Sequence, residues 1–217
     1  PEASRWYPGA GLYRHVHIIT KNKTYIPIWG IQLTTPIIEK DFAKVLVNTE
    51  FVTDNKANIS VETTIFNAKG EKLTTHTIQS TQYTGDVLSN ELYINHPTLW
   101  DIGKPYLYKA VTKLYENGVV KDEMSTTFGI RSIELKPNDG LYLNGRKIKI
   151  QGVCMHHDLG ALGGAVNEAA IRRQIRIMQD MGANTIRTSH NMPAPEYVRA
   201  ADEMGMLLAV ESFDEWA

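Results

Sequence analysis

The sequence IRTSHNMPAPEYVRAADEMGMLLAVES (residues 186–212) decides the fold of the second half of this chain. A short apolar run ends in polar side chains, Pro195 and Gly205 then bracket a segment of helical length, and the almost wholly apolar MLLAVES follows. Proline suits the first turn of a helix, and glycine suits the position after its last turn. An apolar run without alternation is typical of a strand buried on both faces. The stretch therefore predicts strand, helix and strand.

The residues before this stretch continue the same pattern. Residues 148–153 (IKIQGV) are predicted as a strand, and Asn167 is predicted to cap a helix that runs to Gly182. The apolar residues that recur at helical spacing are Ile171, Ile175, Met178 and Met181. The order β, α, β, α, β predicts parallel strands, in a doubly wound sheet or an eight-stranded α/β barrel.

Polar residues follow each of the three predicted strands. They are CMHHD (154–158), RTSHN (187–191) and ESFDEW (211–216). In both parallel architectures the loops at the carboxyl ends of the strands carry the function. We therefore expect these side chains to converge on a pocket above the sheet.

Two catalytic classes are disfavoured by spacing. Ser189 beside His190 lacks the G-x-S-x-G elbow of serine hydrolases, and neighbours on a strand point to opposite faces. Imidazole and carboxylate groups suit zinc, but neither an HExxH motif nor a cysteine pair supports a metal site. The residues considered as zinc ligands are His156, His157, Asp158 and His190.

Structural interpretations of the same residues stay open. A histidine near a strand end often has a structural role, and Arg187 can serve as an ion-pair partner as well as a functional group. Glu211, Asp214 and Glu215 are compatible with a solvated turn, but Trp216 beside them is typical of sugar stacking.

The first half of the chain alternates polar and apolar residues in short segments, which is typical of half-buried strands. These segments are YRHVHIIT, AKVLVNTEFVT, NISVETTIFN, LTTHTIQ, ELYIN, LYKAVTKLYE and VVKDEMSTTFGI. Asn117-Gly118 between the last two is a strong hairpin signal. About seven strands separated by turns predict an antiparallel sandwich of the immunoglobulin type.

Composition excludes several functional classes. The 217 residues are 42% apolar and 22% charged, which is typical of a soluble globular protein. The 23 basic residues nearly balance the 24 acidic ones, so we expect neither a nucleic-acid partner nor an anionic membrane surface. Cys154 is the single cysteine, which excludes an internal disulfide and leaves the compartment open. Neither a membrane-spanning run nor a signal-peptide pattern is visible.

Several motifs carry a family resemblance. The stretch from DGLYLNGRKIKIQGV (139–153) through residues 187–216 resembles the start of the catalytic barrel of glycoside hydrolase family 2, which contains β-galactosidases, β-glucuronidases and β-mannosidases. Residues 4–18 (SRWYPGAGLYRHVHI) resemble the last strand of that family's sugar-binding jelly roll. Residues 96–135, with their L-W, P-Y-L-Y and F-G-I-R motifs, resemble its immunoglobulin-like domain.

The resemblance implies a fold that is mainly β plus α/β. Residues 1–20 would end the jelly roll, residues 21–135 would form the immunoglobulin-like antiparallel β-sandwich, and residues 136–217 would begin the (β/α)8 TIM barrel. Three strands and two helices of that barrel fall within the chain, so the barrel is expected to be incomplete.

The resemblance also implies roles for individual residues. His156 and His190 match histidines that contact the sugar, and the further substrate-binding residues are Asn191, Asp214 and Trp216. Arg187 matches an arginine near the nucleophilic glutamate that helps to keep it ionised and oriented, and Glu211 matches a family position at the end of the third strand; both would lie behind the residues that contact the sugar. The family uses the retaining route, in which one carboxyl group is acid and base and another, about 5 Å away, is the nucleophile.

Both of these glutamates follow later barrel strands in the family, the fourth and the seventh. We therefore expect this chain to contain no catalytic residue, to be a fragment of a larger enzyme and to be inactive alone. Cys154, Met155 and Asn191 stand where the family has asparagine, arginine and tyrosine, which leaves the sugar open.

The implied partner is a carbohydrate substrate. No cofactor or metal is expected in this chain, and the resemblance allows Mg²⁺ or Na⁺ in the full-length enzyme. Apolar faces at Ile150, Ile186 and Leu208 are expected to lack partners in an unclosed barrel, which would favour self-association through its edge.

Three functions stay open. The leading one is a β-galactosidase, and the second is a β-glucuronidase or β-mannosidase of the same family. The third is a non-catalytic carbohydrate-binding or adhesion module, which a row of exposed aromatic residues on the sandwich would favour. The aromatic residues in question are scattered in the sequence: Trp29, Tyr83, Tyr93 and Trp100.

Overall fold

A computed structural model describes residues 11–54, 58–80 and 85–212, which fall into two compact units. The sandwich unit comprises 19–100 and 106–132. The strand-helix unit comprises 11–18, 101–105 and the residues from Ile133 onward.

The described residues of the sandwich unit form seven antiparallel strands in two sheets. One sheet has the order β1-β2-β5 and the other β4-β3-β6-β7. The strands are β1 Ile31–Ile38, β2 Phe42–Glu50, β3 Ile59–Phe66, β4 Lys72–Gln79, β5 Val87–Asn95, β6 Tyr108–Glu116 and β7 Val119–Phe128. Buried side chains from both sheets, such as Val45 from one and Ile65 from the other, pack in one cluster, and a second cluster joins Leu88 to Ile59 in the same way. This arrangement confirms the predicted sandwich.

Alternation and turn chemistry explain these strands. Val45 and Val47 in β2 are fully buried while their neighbours are partly exposed, as a half-buried strand requires. Asn117 and Gly118 both have positive φ, 51° and 77°, which suits the tight hairpin between β6 and β7. Trp100 is buried, so it cannot belong to an exposed aromatic row.

One strand prediction in the first half was wrong, and one strand was missed. Residues 13–20 form no strand, because a strand needs a neighbour for its hydrogen bonds and none of the described residues pairs with this segment. Strand β1 was missed, because its sequence IQLTTPII lacks strict alternation and contains a proline.

A small antiparallel sheet of order β10-β9-β8 was also missed. It comprises β8 Ile133–Lys136, β9 Gly140–Leu143 and β10 Arg146–Ile148. The predicted strand at 148–153 consequently divides into two parts: Ile148 ends β10, and Gly152 begins the next strand. The amide side chain of Asn184 holds the connection, since it accepts from the Gln151 backbone nitrogen and donates to the Lys149 oxygen.

The parallel part of the strand-helix unit follows the predicted order. It consists of β11 Gly152–Met155, α1 Glu168–Asp180, β12 Thr185–Thr188, α2 Pro195–Met204 and β13 Leu207–Val210. The three strands are parallel in the order β11-β12-β13. Asn167 caps α1 by accepting from the Ala170 nitrogen, and Gly205, with φ 72°, ends α2. These elements confirm the predicted start of a TIM barrel.

The apolar face of β12 does not lie open as expected. Ile186 is fully buried against Ile175 and Ala200 of the two helices, and Leu208 is partly buried against the same cluster. The two helices cover the apolar side chains that were expected to lack partners in an unclosed barrel. Of Ile150, Ile186 and Leu208, only Ile150 is largely exposed. None of the helices in the described part of the chain is long and apolar enough to cross a membrane.

Candidate active-site face

The parallel register places the three strand ends side by side. Met155 at the end of β11 lies opposite Thr188 at the end of β12, which lies opposite Val210 at the end of β13. The polar residues that follow, His156, His190 and Glu211, therefore emerge along one edge of the sheet. We call this edge the strand-end face.

Arg187 connects all three strands at this face. One terminal nitrogen, Nη2, donates to Oε1 of Glu211, which follows β13. The other, Nη1, donates to Oγ of Ser189 at 3.2 Å and contacts Sγ of Cys154 in β11 at 3.4 Å. A guanidinium group suits this task, because its fork of donors is rigid and always charged.

His190 shares the carboxylate of Glu211 with Arg187. Nδ1 of His190 lies 3.0 Å from Oε2 of Glu211, so each carboxylate oxygen takes one partner. Because a carboxylate oxygen can only accept, Nδ1 carries the proton of this bond, and Nη2 of Arg187 lies 3.3 Å from the same nitrogen. The His156 ring lies edge-on to the His190 ring, with 5.4 Å between their centroids. The two histidines predicted to bind sugar are thus neighbours.

The charge of Arg187 also acts on Cys154. The hydrogen bond from Arg187, followed by that from Ser189, lowers the pKa of the Cys154 thiol below its ordinary value. The thiol is exposed, so this face combines a guanidinium, a carboxylate and an acidic thiol.

A small pocket with a volume of about 50 Å³ adjoins His156 and His157. His156 and Asn191 line it, together with Tyr13 and Arg14 from the segment before the sandwich unit. Tyr197 also lines it, and burial raises the pKa of its hydroxyl to about 12. The Tyr197 hydroxyl is buried without a hydrogen-bond partner among the described residues.

The structure brings together five of the seven residues predicted for the site. His156, Arg187, His190 and Glu211 form the cluster, and Asn191 lies in the adjoining pocket. The other two, Asp214 and Trp216, lie outside the described residues.

Sequence reasoning missed four residues of this face. They are Tyr13, Arg14, Cys154 as a contact of the arginine, and Ser189 as its acceptor. The alternation of residues 13–20 pointed to a strand, and nothing in the local sequence indicated a contact with residues some 180 positions away.

Metal binding finds no support at this face. In the ranges 11–54, 58–80 and 85–212, no three or more His, Cys, Asp or Glu side chains are grouped so that they could hold an ion.

Two family models match the chain, and together they span most of it. The model described as "Glycosyl hydrolases family 2" matches residues 24–131. The model described as "Glycosyl hydrolases family 2, TIM barrel domain" matches residues 133–215.

Individual relatives agree with these models. The β-galactosidase BoGH2A of Bacteroides ovatus is 40% identical over 98% of this chain and 26% of its own length. A β-glucuronidase of Streptococcus agalactiae is 32% identical over 61% of this chain and 22% of its own length. The crystal structure of a glycosyl hydrolase family 2 member from Bacteroides cellulosilyticus superimposes with a TM-score of 0.90 at 33% identity, over 98% of this chain and 28% of that one. The chain thus spans about a quarter of the length of the proteins it matches.

Proposed function

The chain belongs to glycosyl hydrolase family 2, and from this premise we propose that the full-length protein is a retaining exo-glycosidase that removes terminal β-D-galactosyl groups. The choice of galactose as the sugar rests on the 40% identity to a β-galactosidase over nearly the whole chain. The observation that supports a sugar site is the cluster of His156, His190, Arg187 and Glu211 at the strand-end face.

The two histidines are proposed to hold the hydroxyl groups of the sugar. A sugar needs hydrogen-bond partners fixed in direction, and Glu211 fixes the ring of His190 through Nδ1. His156 lies beside it, with 5.4 Å between the two ring centroids, so both imidazole groups are proposed to contact the same sugar. Arg187 is proposed to orient the nucleophilic carboxylate, since its guanidinium is already held by partners from the neighbouring strands.

The acid/base and nucleophile glutamates are proposed to come from parts of the full-length protein outside these 217 residues. In the retaining route the two carboxyl groups stand about 5 Å apart and act in turn on the anomeric carbon. Glu211 is not proposed for either role, because both of its oxygens are engaged by Arg187 and His190. The 217-residue chain is accordingly proposed to be inactive alone.

A neutral sugar suits the described part of the face better than a uronic acid. A glucuronide carries a carboxylate that calls for a cation. Arg187 already donates to Glu211, and Arg14, at the edge of the pocket, donates to the Met192 carbonyl oxygen. The match to a β-glucuronidase keeps that activity as the second candidate.

Hydrolysis of chromogenic glycosides tests the proposal. The full-length protein is assayed against the β-D-galactoside, β-D-glucuronide and β-D-mannoside of one leaving group, beside the 217-residue chain. We expect the full-length protein to cleave the galactoside at least tenfold faster than the other two and the short chain to cleave none. Preference for the glucuronide or the mannoside would refute galactose as the substrate sugar and name another. Turnover by the 217-residue chain would refute the proposal that both catalytic glutamates lie outside it. Carbohydrate binding by the full-length protein without hydrolysis of any substrate would favour a non-catalytic module.

A further inference from the structure

A segment far away in the sequence contacts the loops that follow β11 and β12, beside the strand-end face. Residues 11–18, which we call the strap, belong to the same compact unit as the parallel strands, although the whole sandwich unit separates them in the chain. The strap contains neither helix nor strand. Its fixed position in the unit therefore comes from side-chain contacts.

Tyr13 contacts the loop that follows β11. Its ring lies 5.4 Å from the ring of His157, centroid to centroid, at an angle of 30°. His157 directly follows His156, the first of the two predicted sugar-binding histidines. The guanidinium carbon of Arg14 lies 5.3 Å from the Tyr13 ring centroid, so cation and ring support each other.

Arg14 contacts the loop that follows β12. Its Nη2 donates to the carbonyl oxygen of Met192, two residues after His190. His15 adds a contact one step further along, because its Nδ1 lies 2.9 Å from a carboxylate oxygen of Glu196 in the first turn of α2. This contact lowers the pKa of the Glu196 carboxyl.

Two adjacent strap residues thus each contact one of the two loops that carry the histidines. Tyr13 meets the loop of His156, and Arg14 meets the loop of His190. The distance between the two loops consequently depends on the conformation of the dipeptide Tyr13-Arg14, which contacts both of them. A displacement of about 1 Å at a catalytic site can cost about 100-fold in rate, so the loss of this link is expected to be visible in the kinetics.

We propose that Tyr13 and Arg14 are positioning residues of the glycosidase, which set the spacing of His156 and His190 without touching the sugar's reacting atoms. This inference rests on the proposed function. Part of the accuracy with which the two histidines are placed would then depend on residues 11–18, which precede the sandwich unit in the sequence.

Kinetics of the full-length protein test the inference. We expect Arg14→Ala to lower kcat/KM for the cleaved chromogenic glycoside about 10- to 100-fold, mostly through kcat. Guanidinium ion, added at concentrations that leave the protein folded, should raise kcat/KM of Arg14→Ala at least threefold, because it can donate to the Met192 carbonyl oxygen in place of the missing side chain. We expect Tyr13→Leu to lose activity and Tyr13→Phe, which keeps the ring, to recover most of it.

Lys21→Ala is the matched control. Lys21 lies seven positions after Arg14 and forms an ion pair of 2.7 Å with Asp122, entirely within the sandwich unit. Its loss should alter the melting temperature as much as the loss of Arg14 does, and change kcat/KM less than twofold.

The outcomes separate the two claims. An inactive wild-type protein would overturn the proposed function and the inference together. An active wild type with Arg14→Ala within twofold of it would overturn the inference alone, as would a loss that guanidinium does not restore. If Arg14→Ala fails to fold, the Tyr13 pair decides: equal activity of Tyr13→Leu and Tyr13→Phe would overturn the inference.

Discussion

Replacing Glu211 by glutamine should weaken catalysis by the full-length protein strongly. The change keeps the shape of the side chain and removes its charge. The two carboxylate oxygens now accept from Arg187 and from His190, and only 26% of the side chain is exposed. An amide has a single acceptor oxygen, so one of these two donors must face an NH2 group in either orientation of the glutamine.

The magnitude follows from the bond that is lost. A hydrogen bond to a charged group contributes about 1.5–3 kcal/mol, and about 1.4 kcal/mol corresponds to a factor of ten. If the lost bond is one that holds His190 or Arg187 for the transition state, kcat/KM should fall about 10- to 100-fold. The assay is the initial rate on the cleaved chromogenic glycoside over a range of substrate concentrations.

Glu203→Gln provides the matched control. Glu203 accepts from Arg172 between the two helices, and 35% of its side chain is exposed, so the same chemical change is made away from the strand-end face. We expect kcat/KM of Glu203→Gln within twofold of wild type. Equal rates for wild type and Glu211→Gln would refute the role given to this carboxylate, and an equal loss in both variants would show a general effect on folding.

Three further predictions concern local structure. Gly205→Ala should destabilise the protein by about 2–4 kcal/mol in urea denaturation, because alanine is strained at this positive φ and its Cβ would lie 2.6 Å from a backbone nitrogen. Gly182→Ala is the control: its φ is 88° and the space around it is open, so it should cost only about 1–2 kcal/mol. Equal costs for the two variants would contradict the close approach at Gly205. Cys154 should react with iodoacetamide with a midpoint at lower pH than that of a free cysteine, because the hydrogen bond from Arg187 lowers the pKa of its thiol. A midpoint at or above that of a free cysteine would count against the contact with the guanidinium. Asn167→Ala should cost about 1 kcal/mol through loss of the cap of α1, and an unchanged urea midpoint would argue against that bond.

The elements that local chemistry specifies could be predicted from the sequence. Asn167, Pro195 and Gly205 mark helix ends through their own side-chain and backbone properties, and Asn117-Gly118 marks a hairpin in the same way. Strand β1 and residues 13–20 could not be predicted, since pairing depends on a neighbour that the local pattern does not reveal. The same holds for Ile186, whose cover comes from helices rather than from further strands.

The candidate site divides along the same line. The order β, α, β, α, β was enough to place His156, Arg187, His190 and Glu211 at neighbouring strand ends, because parallel strands share one carboxyl edge. The sharing of the Glu211 carboxylate depends on side-chain geometry that no spacing rule contains. The contacts of the strap were the hardest to predict, since the whole sandwich unit separates the strap in the sequence from the loops that it contacts.

The most direct test of the central claim is a crystal structure of the full-length protein with the monosaccharide that the hydrolysis assay identifies as its product. The account predicts a sugar at the strand-end face, with hydroxyl groups within hydrogen-bonding distance of the His156 and His190 imidazoles and with Arg187 still bound to Glu211. A sugar bound elsewhere, with both histidines apart from it, would contradict the assignment of this face as the active site.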